Sequence, residues 1–147
     1  MDCYKHILLA LDFFGQAYDV SRKARALADT YQAKLSLIHV VDNMPIPDAE
    51  YGWDASFEVD LTSEMINAAK KRLAAFADKI RVPRDCLFVE LGSPKYEITR
   101  VAEENKVDLI VLGSHGRHGF SLILGSTANG VLHHAKCDVL AVRLKDE

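Results

Sequence analysis

Along the chain, short apolar runs alternate with longer segments in which apolar residues recur every three or four positions. The first run, residues 6–11, is ended by Asp12 and reads as a strand buried on both faces. Over 17–31, Val20, Ala24, Leu27 and Tyr31 fall on one side, Arg22 and Arg25 on the other, and Lys23 at the border. That is the stripe of a half-buried helix. Residues 34–41 form a second strand-like run, and 60–80 a long helix with Met65, Ala69, Leu73, Phe76 and Ile80 along one face. A third strand is predicted over 86–90, closed by Gly92 and Pro94, and a third helix around Ile98, Val101 and Ala102. Residues 108–112 are the most apolar strand. Ser126 could cap a short helix running to His134, and 139–144 is the fifth strand.

The order β-α-β-α-β-α-β-α-β predicts a parallel sheet with helices on both faces and right-handed crossovers. With 147 residues and no internal repeat or linker, 1–147 reads as one domain. A chain of this size buries roughly 68–70% of its unfolded surface, so its stability requires neither a metal nor a disulfide. The one unusual connection is 42–57, where Pro45 and Pro47 precede Asp48, Glu50 and Asp54 interleaved with Tyr51, Trp53 and Phe57. A loop of that length is either a lid over a site or simply mobile.

Composition narrows the classes of partner. Eighteen basic and 21 acidic residues give a net charge of -3 with no long run of either sign. This leaves no electrostatic footprint for nucleic acid and no polybasic membrane patch. The apolar run after Lys5 is too short for a signal-peptide core, and the charge-free stretch 118–135 carries too many glycines, histidines and hydroxyls to cross a membrane. Three cysteines, Cys3, Cys86 and Cys137, lack zinc or C-x-x-C spacing and read as free thiols in a reducing cytoplasm.

In an open parallel sheet, ligands sit beyond the carboxyl ends of the strands, near the point where strand order reverses. That directs attention to Asp12, to Val40 and Asp42, to Gly92 and Ser93, and above all to the stretch from Gly113 onward. Gly113, Gly116 and Gly119 suit sharp turns or close backbone approach to a ligand. Gly125, Ser126 and Thr127 then open a helix whose free N–H groups suit phosphate, with Arg117, His115 and His118 nearby. The bland alternative is that the glycines only turn the chain. Two better-known phosphate motifs are absent: Val131 and Leu132 stand where a P-loop beginning at Gly125 requires Lys and Ser or Thr, and there is no G-x-G-x-x-G.

These residues carry a resemblance that runs nearly end to end. The stretches 4–12, 37–42 and 108–116 resemble the first, second and fourth strands of the universal stress protein A family. Nucleotide-binding members carry Gly, two residues, Gly, nine residues, then Gly and Ser or Thr. Gly113, Gly116, Gly125 and Ser126 match, with eight residues rather than nine between the second and third glycines. The resemblance implies an adenine-nucleotide alpha-hydrolase-like fold with strand order 3-2-1-4-5. It also implies a stress-response regulatory protein holding ATP or AMP, with Mg2+ as a bridge between the phosphates. Position by position, it puts Asp12 and the main chain of Val40 near the adenine and Gly113 near the ribose, and Ala10 is also counted among the nucleotide-binding residues. It puts Gly116, Arg117, Gly125, Ser126 and Thr127 at the phosphates, and His115 and His118 are the histidines near them in the sequence. For Asp12, capping the turn into the first helix is an equal alternative.

His39, inside an apolar strand, reads as a hydrogen-bonded core histidine, and His133 and His134 as residues that satisfy the last carbonyls of a helix. No catalytic residue and no metal site is assigned. The sequence has no nucleophile elbow, no H-E-x-x-H and no carboxylate pair at useful spacing. Enzyme is thus the weaker class. Slow ATP hydrolysis, or self-phosphorylation on Ser114, Ser121, Ser126 or Thr127, stays open, as does a nucleotide-independent dimeric module. The strand 139–144, from Val139 to Leu144, is apolar and last in order. At the edge the resemblance gives it, it is expected to pair with its symmetry mate in a homodimer.

Overall fold

The computed structural model describes residues 3–12, 17–42, 55–114 and 125–143. Among them, strands β1 (His6–Ala10), β2 (Lys34–Asp42), β3 (Leu87–Gly92), β4 (Leu109–Gly113) and β5 (Asp138–Val142) alternate with helices α1 (Ala17–Tyr31), α2 (Ala55–Lys79), α3 (Pro94–Glu104) and α4 (Ser126–His134). The strands form one parallel sheet in the order β3-β2-β1-β4-β5, as expected.

Strand alternation sorts the core into two layers. Ile7, Leu9, Leu11, Leu35, Leu37, Leu109 and Val111 face α1 and α2. Leu8, Ile38, Val40, Ile110 and Leu112 face α3 and α4, where Ile98, Val101, Ala102, Ala128 and Val131 meet them. Both faces of the central strands are therefore dry, which is why these runs are almost purely apolar.

Helix faces follow the sequence with local departures. In α1, Val20 and Ala24 are buried as read, but Leu27 is only half-buried and Tyr31 lies at the surface. Ala28 and Ser21 complete the buried stripe instead, and the Ser21 hydroxyl donates to the Tyr18 carbonyl at 2.8 Å. Arg25, read as outward-facing, donates to the carbonyls of Ile80 and Arg81 and so satisfies chain leaving the end of α2. Helix α2 starts at Ala55 rather than at 60, since neither glycine nor proline interrupts 55–80. Phe57 thus belongs to the helix, and of the expected 42–57 loop, residues 43–54 lie outside the described residues. Strand β5 ends at Val142, and Leu144 also lies outside them.

Gly92, at the end of β3, adopts φ +143°, a conformation that side chains rarely take. A β-carbon there would also lie 3.2 Å from Glu97 Cγ and Oε1. The glycine lets α3 begin immediately, with Ser93 accepting from the N–H groups of Tyr96 and Glu97.

At the amino-terminal edge of the sheet, a buried polar group is fully partnered. His6 Nδ1 lies 3.1 Å from the Asn105 carbonyl, which can only accept, so Nδ1 carries the proton. Nε2 then accepts from the Ser36 hydroxyl at 2.8 Å. Burial pushes the His6 pKa below its ordinary value. The Asn105 carbonyl and Asp108 oppose that shift, and Lys34 adds to it. The folded ring therefore takes up a proton less readily than the unfolded chain, which does so at about pH 6.5. Stability from His6 is complete above that pH and is lost as pH falls below it. Urea unfolding between about pH 7.5 and 5 is expected to show a decline that is smaller in His6→Gln; equal slopes in the two proteins would refute it.

Candidate functional site

The sheet order places β1 between β2 and β4, so the chain leaves β1 in one direction and later returns on its other side. The crevice between the carboxyl ends of β1 and β4 is the reversal point where such sheets bind ligands. Leu9 is in register with Val111, so Ala10 and its successors stand level with the end of β4.

One wall of the crevice is the exit from β1. Ala10 is half-buried, Leu11 is buried, and Asp12 is exposed. The Leu11 N–H donates to the Ile38 carbonyl at 2.9 Å, and the Leu11 carbonyl accepts from His39 Nδ1 at 2.7 Å. Val40 turns its side chain into the α3 layer near the end of β2.

The other wall is the exit from β4. Gly113 is half-buried and in register with Val142, and the Ser114 N–H donates to the Val142 carbonyl at 2.8 Å. The Gly125 N–H donates back to the Ser114 carbonyl at 2.7 Å. This bond brings the start of α4 directly against the end of β4, so both ends of the glycine-rich stretch meet at one point. Gly125 is the boundary residue of α4, its carbonyl accepting from the Asn129 N–H, and glycine itself has no side chain with which to cap this start. Ser126, read as the cap, is instead the first helical residue, because the contact with Ser114 sets the boundary one residue earlier. Ser126 is exposed and Thr127 half-buried in a first turn whose N–H groups have no partner within the helix.

Seven of the expected site residues, Ala10, Asp12, Val40, Gly113, Gly125, Ser126 and Thr127, thus gather at the carboxyl edge of β1, β2 and β4. His115, Gly116, Arg117 and His118 lie outside the described residues. Two residues take roles here that sequence reasoning did not give them. Ser114, read only as an open phosphorylation candidate, ties three segments together, and His39, read as a hydrogen-bonded core histidine, places that bond on the exit of β1. A histidine one turn of the alternation short of a strand end, among apolar neighbours, was the available signal for the second.

Elsewhere, His134 packs its ring 5.2 Å from that of Tyr96. Cys86 is buried and Cys137 half-buried, and burial raises both thiols above their ordinary pKa. Among the described residues, no three His, Cys, Asp or Glu side chains are grouped to hold a metal, and no helix is long and apolar enough to cross a membrane. A cleft of about 180 Å³, lined in part by Lys106, Lys136 and Cys137, lies at the opposite, amino-terminal edge of the sheet.

These features define an open α/β domain whose carboxyl-edge crevice combines a strand exit carrying a carboxylate with a helix start at a glycine. A sequence profile described as the Universal stress protein family matches residues 3–143, and the chain belongs to that family. Universal stress protein A homolog 2 of Coxiella burnetii is 44% identical over 146 residues, covering 99% of this chain and 99% of that protein. Among solved structures, the hypothetical protein MJ0577 is 27% identical and superposes with a TM-score of 0.82 over 99% of this chain and 100% of its own. A universal stress protein in complex with cAMP shares the fold at 22% identity, with a TM-score of 0.60 over 96% of this chain and 98% of its own.

Proposed function

We propose that this chain is a stress-response regulatory protein that binds an adenine nucleotide, ATP or AMP, in the crevice between β1 and β4. Its ligand would bias conformation or partner choice rather than fuel turnover. The observation that carries the reading is the Gly125–Ser114 hydrogen bond, which sets a helix start, at a glycine, on the carboxyl edge of the sheet. Free N–H groups and the positive end of the helix dipole favour phosphate there. In this reading the base meets Asp12 and the Val40 main chain, and the ribose lies near Gly113. The phosphates reach Ser126, Thr127 and the segment holding His115, Gly116, Arg117 and His118, with Mg2+ as their bridge. Adenine offers a donor at its exocyclic amine where guanine offers an acceptor, so a carboxylate aimed at that position of the ring favours adenine. A protein of the same fold forms a complex with cAMP, itself an adenine nucleotide, so the fold can accept this class of ligand.

Small molecules extracted from the purified protein are expected to include ATP or AMP. A charge-assisted contact to phosphate contributes about 1.5–3 kcal/mol, so Arg117→Ala is expected to weaken ATP about tenfold or more while sparing adenosine. Equal losses for both ligands by calorimetry, or no nucleotide binding by the parent, would reject the phosphate assignment.

We further propose a homodimer built on β5. Among the described residues this strand pairs with β4 alone, and Leu140 is 37% exposed on it, so its outer edge offers main-chain groups and an apolar side chain to a second copy. Antiparallel pairing about a two-fold axis would satisfy both edges. Sedimentation velocity at micromolar concentration is expected to return twice the chain mass; a monomer would rule the pairing out.

A further inference from the structure

We infer that His39 is a positioning residue for base recognition: by holding the Leu11 carbonyl it sets the main chain from which Asp12 meets adenine. The inference rests on the nucleotide reading above and deepens it. Beyond Ala10 the chain has left β1, yet Leu11 keeps both of its main-chain polar groups engaged by one strand. Its N–H goes to the Ile38 carbonyl at 2.9 Å and its carbonyl to His39 Nδ1 at 2.7 Å. Its side chain is buried in the α1–α2 layer. Three anchors thus fix the residue immediately before Asp12, and one of them is a side chain.

The identity of that side chain matters chemically. By alternation, residue 39 lies on the same side of β2 as Leu35 and Leu37, where leucine is the residue the strand otherwise uses. A leucine carries no donor, and the Leu11 carbonyl would then lose the bond that sets the peptide plane leading into Asp12. Because a carbonyl only accepts, the His39 proton must sit on Nδ1, which leaves Nε2 as the bare nitrogen whenever the ring is neutral. Histidine thus supplies a short, directed donor from within an apolar strand. Asparagine can place an N–H in nearly the same position as Nδ1.

The test uses the full chain and titrates AMP and GMP by calorimetry, with unfolding midpoints measured in parallel. His39→Leu is expected to weaken AMP about tenfold and to bring the AMP-to-GMP preference close to unity, with His39→Asn restoring most of both. In an Asp12→Ala background, His39→Leu is expected to change AMP affinity no further, because the two substitutions remove one interaction. By 15N NMR at about pH 8, where an ordinary imidazole is neutral, His39 is expected to be protonated on Nδ1. An unchanged preference in His39→Leu would overturn the inference, whether affinity for both nucleotides is kept or falls equally. The Nε2–H tautomer, or additive losses with Asp12→Ala, would do the same. A parent protein that binds neither nucleotide would instead overturn the nucleotide reading itself, and the two failures are told apart by the parent titration alone.

Discussion

β1 pairs in parallel with β2 on one side and β4 on the other, and the rest of the architecture depends on this double pairing. A parallel neighbour on each side forces the connections away from β1 to run in opposite directions across the sheet. Helices must then cover both faces, which explains why Leu8 and Leu9, adjacent in sequence, enter different core layers. The same reversal parts the chain at the carboxyl edge between β1 and β4. A crevice at that point is a consequence of topology before any side chain is considered.

What distinguishes the two edges of the sheet is how their polar groups are satisfied. At the amino-terminal edge, His6 is closed off by Ser36 and Asn105, and Asp108 accepts from the main-chain N–H groups of Lys5 and His6. At the carboxyl edge, the bonds from Gly125 to Ser114, from Ser114 to Val142 and from Leu11 to Ile38 hold the main chain, and α4 begins at a glycine that has no capping side chain. Main chain held in this way beside such a helix start suits recognition of an anionic ligand.

Much of this was legible in the sequence, and the exceptions share a cause. Short double-sided runs such as 108–112 and the face formed by Ile98, Val101 and Ala102 were readable because strand and helix periodicities are local. Strand order was accessible only through family resemblance. Arg25 was misread, and Ser21 went unread, because the partners that bury or recruit them are set by helix packing, which no periodicity encodes. At the candidate site, the glycines and Ser126 pointed to the carboxyl edge of the sheet, but the meeting of Ser114 with Gly125 could not be seen, since no periodicity encodes a contact across that stretch. His39 was recognised as hydrogen-bonded, but its partner, Leu11, belongs to another strand's exit, and this is what ties it to the crevice.

The central claim is that the crevice between β1 and β4 takes the adenine nucleotide, and amide NMR mapping addresses it most directly. Titration of the 15N-labelled protein with AMP is predicted to shift the amides of Asp12, Val40, Gly113, Ser126 and Thr127. The amides of His6, Asp108 and Asp138, at the opposite edge of the sheet, should stay in place. Shifts gathered instead around Lys106, Lys136 and Cys137, or no shifts at saturating AMP, would contradict the account.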